Sequence, residues 1–511
     1  MNPIELSLFA SRLDAVCDEM GAVLRNAAFS TNIRDRLDYS CAVFDAAGGL
    51  CAQAAHIPVH LGSMAFAMTD LVAREDWVPG DMVIVNDPFL GGTHLPDVTL
   101  IAPVFSGGER VAFVVNRAHH ADIGAASPGS MPVSRTLDEE GQVIAPRHLI
   151  RAGILDEGWL ARLVAATRRP GDARGDFLAQ VSANRAGAQR VAELVGRFGT
   201  AAFLADLAEL NDYGERLARR AIGMLPAGVY RFTDWMDDDG QGTRDVRLQV
   251  AVRLADGEAA VDFSGSAAQV VGNINCPLAV TAAAVFYAFR CLMPAQTPAC
   301  AGALRPIRLS APSGCLLNAR SSAAVAAGNV ETSSRVVDLV LGALAQAAPE
   351  RIPAASQGTM NNLAMGNAAP GAPWDYYETL GGGMGAGSTG GGWSGVQTHM
   401  TNTLNTPIEV LETRFPLRVR RYGLRSGSGG AGRRRGGEGL VRELELLAPA
   451  HATLLTERRH RGPWGVGGGG PGQPGRNLLN GESLPAKVAV ELVPGDRLRI
   501  ETPGGGGWGE A

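Results

Sequence analysis

No part of this 511-residue chain stays apolar for long. Its hydrophobic runs are short or broken by Gly, Pro and charge, and none reaches the roughly 20 residues that cross a bilayer, so no membrane partner is expected. Cysteine is sparse: Cys17, Cys41, Cys51, Cys276, Cys291, Cys300 and Cys315, with no CxxC pair. That odd, scattered set removes a zinc–thiolate site and fits reduced thiols in the cytoplasm. Positive charge is not in excess either. The formal net charge is −5, which offers no general attraction to phosphate backbones and argues against nucleic acid as a partner. The first twenty residues carry acidic side chains where an export signal would be basic, and their apolar positions are spaced, so no leader is expected. Familiar catalytic signatures are also missing: no GxxxxGK[ST], no GxSxG, no kinase motif set. GSGGAGRRRGGEG at 427–439 lacks the Lys-Ser/Thr ending of a phosphate cradle and reads as a surface loop. The cysteines, without a local nucleophile signature, read as small core hydrophobes.

What the chain has in quantity is glycine, 66 residues or about 13%, against a usual share of about 7%. Most of the excess follows residue 380, mixed with aromatic, Arg and β-branched residues, which points to tight turns and close backbone approaches rather than a disordered tract. With 46% hydrophobic residues the chain can bury several cores.

Leu6, Phe9, Leu13, Val16, Met20, Val23 and Ala27 step by three and four, the spacing of an amphipathic helix that ends near Ser30. YSCAVFD and LCAQA read as two short strands about a Gly turn, with Asp38 just before the first. A helix over 62–73 follows, then strands at 82–86, 98–105 and 110–116, the last two joined by a Ser106-Gly107-Gly108-Glu109 hairpin turn. The pattern over 155–222 is helical, strands dominate from Val229 to Phe263, a helix covers 333–347, and Gly-rich loops with short strands run to the end. The expectation is a multidomain α+β fold: mixed and antiparallel sheets with helices packed on them, and a Gly-rich β/loop C-terminal region. Its expected divisions are an α+β unit over 1–225, a β-rich unit over 226–320 and a Gly-rich α+β unit over 321–511.

The chemistry is concentrated between Asn86 and Asp122, NDPFLGGTHLPDVTLIAPVFSGGERVAFVVNRAHHAD. A hairpin about Gly107-Gly108 brings the residues before its first strand beside those after its second. Asp97 is then expected near Arg117 and Ala118, and His94 near the His119–Asp122 turn, with Asn86 and Asp87 reaching the same edge. Five of the nine histidines (His56, His60, His94, His119 and His120) fall between residues 56 and 120. Imidazole with carboxylate suits Zn, Mn or Fe rather than Ca or Mg alone, and two His with one Asp leave positions for a water that attacks a carbonyl. Each histidine taken singly fits a hydrogen-bonded loop residue equally; the cluster is what points to a metal. GNVETSSR (328–335), GTMNN (358–362) and HMTNTLNTPIE (399–409) fit either a pocket lining or turn-forming loops.

These stretches resemble the hydantoinase B/oxoprolinase family. The likeness runs almost end to end, through NIRDRLDYSCAVFD, AAHIPVHLGSM, NDPFLGGTHLPD, RAHHADIG, GNVETSS, QGTMNN, YYET, THMTNTLNTPIEVLE, ERRHRGPWG and TPGGGGWG. It implies a subunit of an ATP-dependent cyclic-amide hydrolase of the hydantoinase or 5-oxoprolinase type. A separate A-type subunit would bind ATP and phosphorylate the substrate's carbonyl oxygen, in a hetero-oligomer, so that this chain needs no phosphate-binding loop. The family's metal ligands match His94, Asp97 and His119, which would hold a divalent transition ion, Zn or Mn, with Fe also possible. Asp38, His120 and Asp122 match neighbouring polar positions, to which supporting or proton-transfer roles are carried over. The same motifs also serve ketone carboxylases of the acetone/acetophenone type, and a third reading is a metal-free scaffold. The small cyclic amide or its phosphorylated form is the expected substrate.

Overall fold

The computed structural model describes residues 2–54, 56–368 and 373–511. Its fold is α+β, with four sheets and packed helices. Helix α1 (Pro3–Ala27) starts at a capping box, in which the Asn2 side chain accepts from the backbone of Ile4 and Glu5 while Glu5 accepts from Asn2. Its buried stripe of Leu6, Phe9, Leu13, Val16 and Met20 faces the core. The short α2 (Thr31–Arg34) leads into a seven-stranded antiparallel sheet of order β2-β1-β5-β4-β3-β6-β7. Its strands are β1 (Tyr39–Asp45), β2 (Leu50–Gln53), β3 (Met82–Val85), β4 (Asp97–Ser106), β5 (Glu109–His119), β6 (Arg147–Arg151) and β7 (Ile154–Leu155).

Both faces of this sheet are covered, and the period of two sorts its residues between two cores. Val114, Ala118, Val98 and Leu100 pack toward α1 and α5 (Pro170–Phe198). Phe113, Val115, Ile101 and Val83 pack under α3 (Pro58–Ala73), which begins earlier than the apolar pattern indicated because Pro58 occupies its first turn. The helical stretch 155–222 resolves into three helices, α4 (Glu157–Ala165), α5 and α6 (Thr200–Gly223), with Gly199 at φ 82° separating the last two.

A second sheet, of order β11-β10-β9-β8, is built from β8 (Gly228–Asp238), β9 (Arg244–Ala255), β10 (Glu258–Asp262) and β11 (Ile307–Ser310). Against it lies the buried helix α8 (Ser333–Leu344), which in turn packs on α7 (Leu278–Arg290). Helix α7 has no polar face in its sequence, LAVTAAAVFYAFR, and gave no periodic signal for that reason. The C-terminal part holds two more sheets. One orders β13-β12-β16-β19, with β12 (Asn362–Asn367), β13 (Trp374–Glu378), β16 (Ala450–Leu455) and β19 (Lys487–Leu492). The other orders β14-β15-β20-β17-β18, with β14 (Leu417–Arg425), β15 (Gly439–Leu446), β17 (Arg476–Leu479), β18 (Glu482–Leu484) and β20 (Arg497–Glu501).

The glycine excess builds a bundle of extended backbones between these sheets. Gly505, Gly506 and Gly507 donate to the carbonyls of Gly437, Ala355 and Gly470, and their own carbonyls accept from Gly430, Ala386 and Val466. Three successive residues therefore bond in three directions to different segments, as a threefold extended chain does and a flat strand cannot. Side chains have no room inside. A Cβ on Gly505 would lie 2.1 Å from the Met384 carbonyl oxygen, and one on Gly506 would lie 2.1 Å from that of Trp464.

Gly505→Ala should therefore destabilise the protein by about 1–3 kcal/mol or more. Gly387→Ala, at a position with open space around the added Cβ, should stay within about 0.5 kcal/mol of wild type. Denaturant melts of the two variants make the comparison, and equal stability would show that the bundle tolerates side chains.

Candidate metal centre

The β4–β5 hairpin turns at Gly107 and Gly108, both at positive φ (59° and 86°), where an added Cβ would meet nothing within 4 Å among the described residues. It closes one residue away from the simplest pairing. Phe105 faces Arg110, but a bulge between Val104 and Phe105 shifts the register, so that Val104 faces Ala112 and Asp97 faces His119. Directly opposed residues share a face, and a slip of one exchanges the faces. Without the bulge Asp97 would stand opposite Ala118, as sequence pairing implied. With it, Asp97 and His119 project together toward α3.

His94 arrives from the loop between β3 and β4. Asn86 anchors that loop by donating to the carbonyls of Leu95 (2.8 Å) and Gln142 (2.9 Å) while accepting from Ile144 N at 2.6 Å. The Asp87 carbonyl accepts from Gly92 N, a crossing so close that a Cβ at Gly92 would be 2.2 Å from the Asn86 oxygen. His94 Nε2 thereby comes to 3.2 Å from Asp97 Oδ1, and His119 Nδ1 to 3.3 Å from the same oxygen. One donor atom from each of the three residues fits within 4.8 Å of the others.

Around this triad stand side chains that hold Asp97. Thr93 Oγ1 donates to Asp97 Oδ2 at 2.6 Å, Asn329 Nδ2 donates to it at 3.3 Å, and His60 Nε2 lies 3.1 Å from it. Asp38 sits just outside, 3.9 Å from His119 Nδ1 and 4.0 Å from His60 Nε2, with Arg36 Nη2 at 3.5 Å. The Tyr377 ring from β13 stacks on His119, with centroids 4.6 Å apart and planes 5° from parallel. Its hydroxyl donates to Asn362 Oδ1, whose amide donates to the buried Glu331. Arg117, fully buried beside the site, directs its guanidinium to Thr99, Ser63 and the Gly91 carbonyl.

The triad is sealed from solvent. Burial pushes the Asp97 carboxyl up, but the charges of His60 and His94 and the close approach of the His119 and His60 ring nitrogens outweigh it and hold the group well below the usual carboxylate range. Burial pushes His119 below the ordinary imidazole value, against the pull of Asp97 and Asp38. An ionised carboxylate beside a neutral imidazole is a donor set for a cation. The hydrogen bonding agrees. Both ring nitrogens of His94, Asp97 Oδ1 and His119 Nε2 are buried without a hydrogen-bond partner among the described residues, and buried polar atoms are rarely left so. The residues present fit a divalent transition ion with nitrogen and oxygen ligands.

Of the other residues read from sequence, Asp38 is at the site, whereas His120 and Asp122 are not brought to it. Alternation along β5 turns His120 to the α5 face, where it stacks on Phe177 (4.1 Å) and bonds Gln180 at 2.9 Å. Asp122 Oδ1 accepts from Gly124 N and Ser130 Oγ, and its Oδ2 accepts from Arg168. It fastens a loop. No individual role was read for His60, Thr93, Asn329 or Tyr377: His60 was counted only within the histidine cluster, and Asn329 lay in a stretch that fitted either a pocket lining or a turn. Asn329 comes from a π-turn (Gly328–Thr332), a local form that often marks functional positions but leaves no periodic trace in sequence.

A family model described as hydantoinase B/oxoprolinase matches residues 2–511. 5-Oxoprolinase 1 of Arabidopsis thaliana is 39% identical over 540 residues, spanning 99% of this chain and 42% of its own length. The B-type component of a putative D-/L-hydantoinase of Pseudomonas sp. (strain NS671) is 31% identical, spanning 100% of this chain and 90% of its own. The crystal structure of an ATP-dependent caprolactamase from Pseudomonas jessenii superposes with a TM-score of 0.92 at 29% identity, covering 100% of this chain and 91% of that one. The chain thus spans about two fifths of the plant 5-oxoprolinase it matches and nearly all of the hydantoinase component. No helix among the described residues is long and apolar enough to cross a membrane.

Arg168, which binds Asp122, also lies 3.4 Å from Asp375. Burial, with the Asp122 charge, pushes the Asp375 carboxyl from 3.8 to about 7 despite Arg168. A carboxyl whose folded pKa exceeds its unfolded one binds more protons in the folded state. It therefore removes stability as pH rises between those two values. Asp375→Asn should flatten the fall in melting temperature across that window. A decline as steep as wild type would show that Asp375 ionises normally.

Proposed function

Because the chain belongs to the hydantoinase B/oxoprolinase family, we propose that it is the ring-opening component of an ATP-dependent cyclic-amide hydrolase. It acts on a hydantoin- or 5-oxoproline-type ring whose carbonyl oxygen has been phosphorylated by an A-type ATP-binding partner in a hetero-oligomer. The observation that carries this reading is the buried meeting of His94 Nε2 and Asp97 Oδ1, 3.2 Å apart, with neither hydrogen-bonded.

His94, Asp97 and His119 would hold a divalent transition ion, Zn or Mn, with Fe also suited to the donors. When bound, such an ion supplies an acidified water and a positive charge facing the carbonyl oxygen. The chain's own groups do the rest. Thr93 and Asn329 fix the Asp97 carboxylate, so that Oδ1 stays turned toward the two imidazoles. Tyr377 clamps the His119 ring plane. Asp38, tethered by Arg36, is the carboxylate nearest the triad outside it, and it is assigned the proton transfer. Hydrolysis adds water oxygen to the ring carbon, delivers protons to the ring nitrogen as the C–N bond breaks, and converts the acyl phosphate left behind to carboxylate and phosphate with a second water. Burial of the triad keeps other water away from that activated carbon.

The test combines elemental analysis with turnover of the assembled enzyme. Wild type should carry about one divalent transition ion per chain. His94→Ala and His119→Ala should lose it, with ring opening down by about 100-fold or more, while partner-dependent ATP hydrolysis persists in part. Full metal content and full activity in both variants would sink the proposal. A strict bicarbonate requirement with ketone substrates would move the chain to the carboxylation branch instead.

A further inference from the structure

A second cleft opens away from the histidines, where the β8–β9 turn, the β17–β18 hairpin and the 457–461 segment meet. Its volume is about 550 Å³, within the roughly 300–1,000 Å³ of small-molecule sites. Four cationic side chains line it, Arg244, Arg459, Arg476 and Lys487, against the single carboxylate of Asp238.

Two of these cations are already answered. Lys487 Nζ lies 2.6 Å from Glu457 Oε1, and Arg476 Nη2 lies 2.6 Å from Glu501 Oε2. The other two are not. Arg459, half-buried, donates to the Glu457 carbonyl at 2.6 Å and to the Asn477 amide oxygen at 2.9 Å, both neutral partners. Burial pushes its guanidinium down to about 10, against the more distant pull of Glu331, Asp237 and Glu457. The side chain of Arg244, at the start of β9 and also lining the cleft, has no ion-pair or hydrogen-bond partner among the described residues. Asp238 does not balance them, because its carboxylate accepts from Gly240 N and stands 3.8 Å from Lys487. A guanidinium drawn out of water without a counter-charge is costly, and its planar fork matches the paired oxygens of a phosphate or carboxylate.

We propose that this cleft binds a small organic molecule through an oxyanion group, with Arg459 and Arg244 both holding it. The site is separate from the histidine centre and does not depend on the reaction assigned there.

Isothermal titration calorimetry on the full chain tests this with inorganic phosphate, glycerol phosphate and glutarate, at ionic strength held constant with sodium chloride. At least one should bind saturably to wild type, the preferred probe telling phosphate from carboxylate. Binding should weaken about tenfold in Arg459→Gln and in Arg244→Ser, the loss of one charge-assisted hydrogen bond, and should persist in His94→Ala. Arg244 is exposed, so its variant reports even where Arg459→Gln fails to fold. No saturable binding by wild type, unchanged affinity in Arg244→Ser, or loss of binding in His94→Ala would each overturn the proposal.

Discussion

An ionised carboxylate sealed from water governs the centre of this molecule. Asp97 is kept charged only because enough donors and positive charge surround it: His60, His94, His119, Thr93 and Asn329. A charge buried in protein is tolerated when it is paired and hydrogen-bonded, and is expensive otherwise. These groups come from well-separated stretches of chain: α3, the loop before β4, the end of β5 and the π-turn before α8. The need to satisfy one oxygen pair therefore dictates where several elements of the fold must meet. Asp97 Oδ1 stays without a hydrogen bond after all of this, and that residual demand is what makes the place suitable for a cation.

The glycine bundle reaches the same centre from the far side. Ala355 and Met384 are tied into it through Gly506 and Gly437. Between those two residues runs the β12–β13 hairpin, whose Tyr377 covers His119. Inside the hairpin, Tyr377, Asn362 and Glu331 form a hydrogen-bonded chain ending on the segment that also supplies Asn329. Extended backbones packed at hydrogen-bonding distance in three directions leave little freedom to shift. The low-complexity tail thus acts as a rigid mount for one wall of the site.

How much could be read in advance depended on the range of the interaction. The α1 stripe, the Gly107-Gly108 turn and the grouping of His94, Asp97 and His119 are local or one hairpin away, and periodicity with turn chemistry exposes them. Asp38 was legible only through the family resemblance; what brings it to the site is the pairing of the strand that follows it, β1, with β5. His60 and Asn329 were not, because they meet Asp97 only through tertiary packing of helices against the sheet. Helix α7 was missed because an all-apolar segment has no periodic contrast. The threefold bonding of 505–507 involves partners from 355 to 470, and composition showed only that the backbones must come close.

His119 and His120 are directed to different faces for a single reason. Two adjacent histidines in a strand cannot both face one site, and sequence alone does not say which one does. The bulge between Val104 and Phe105 decides it. That irregularity sits near the hairpin turn, seven residues from Asp97 along β4 and so about 23 Å away. Yet it sets the face shown by every pair between it and the metal-ligand candidates. Pairing Val104 with Val111 in place of Ala112 would leave both strands paired, but Ala118 would then stand opposite Asp97 in place of His119. The chemistry of the site is thus encoded partly in a backbone register far from any group that performs it, which is why its ligands alone do not specify it.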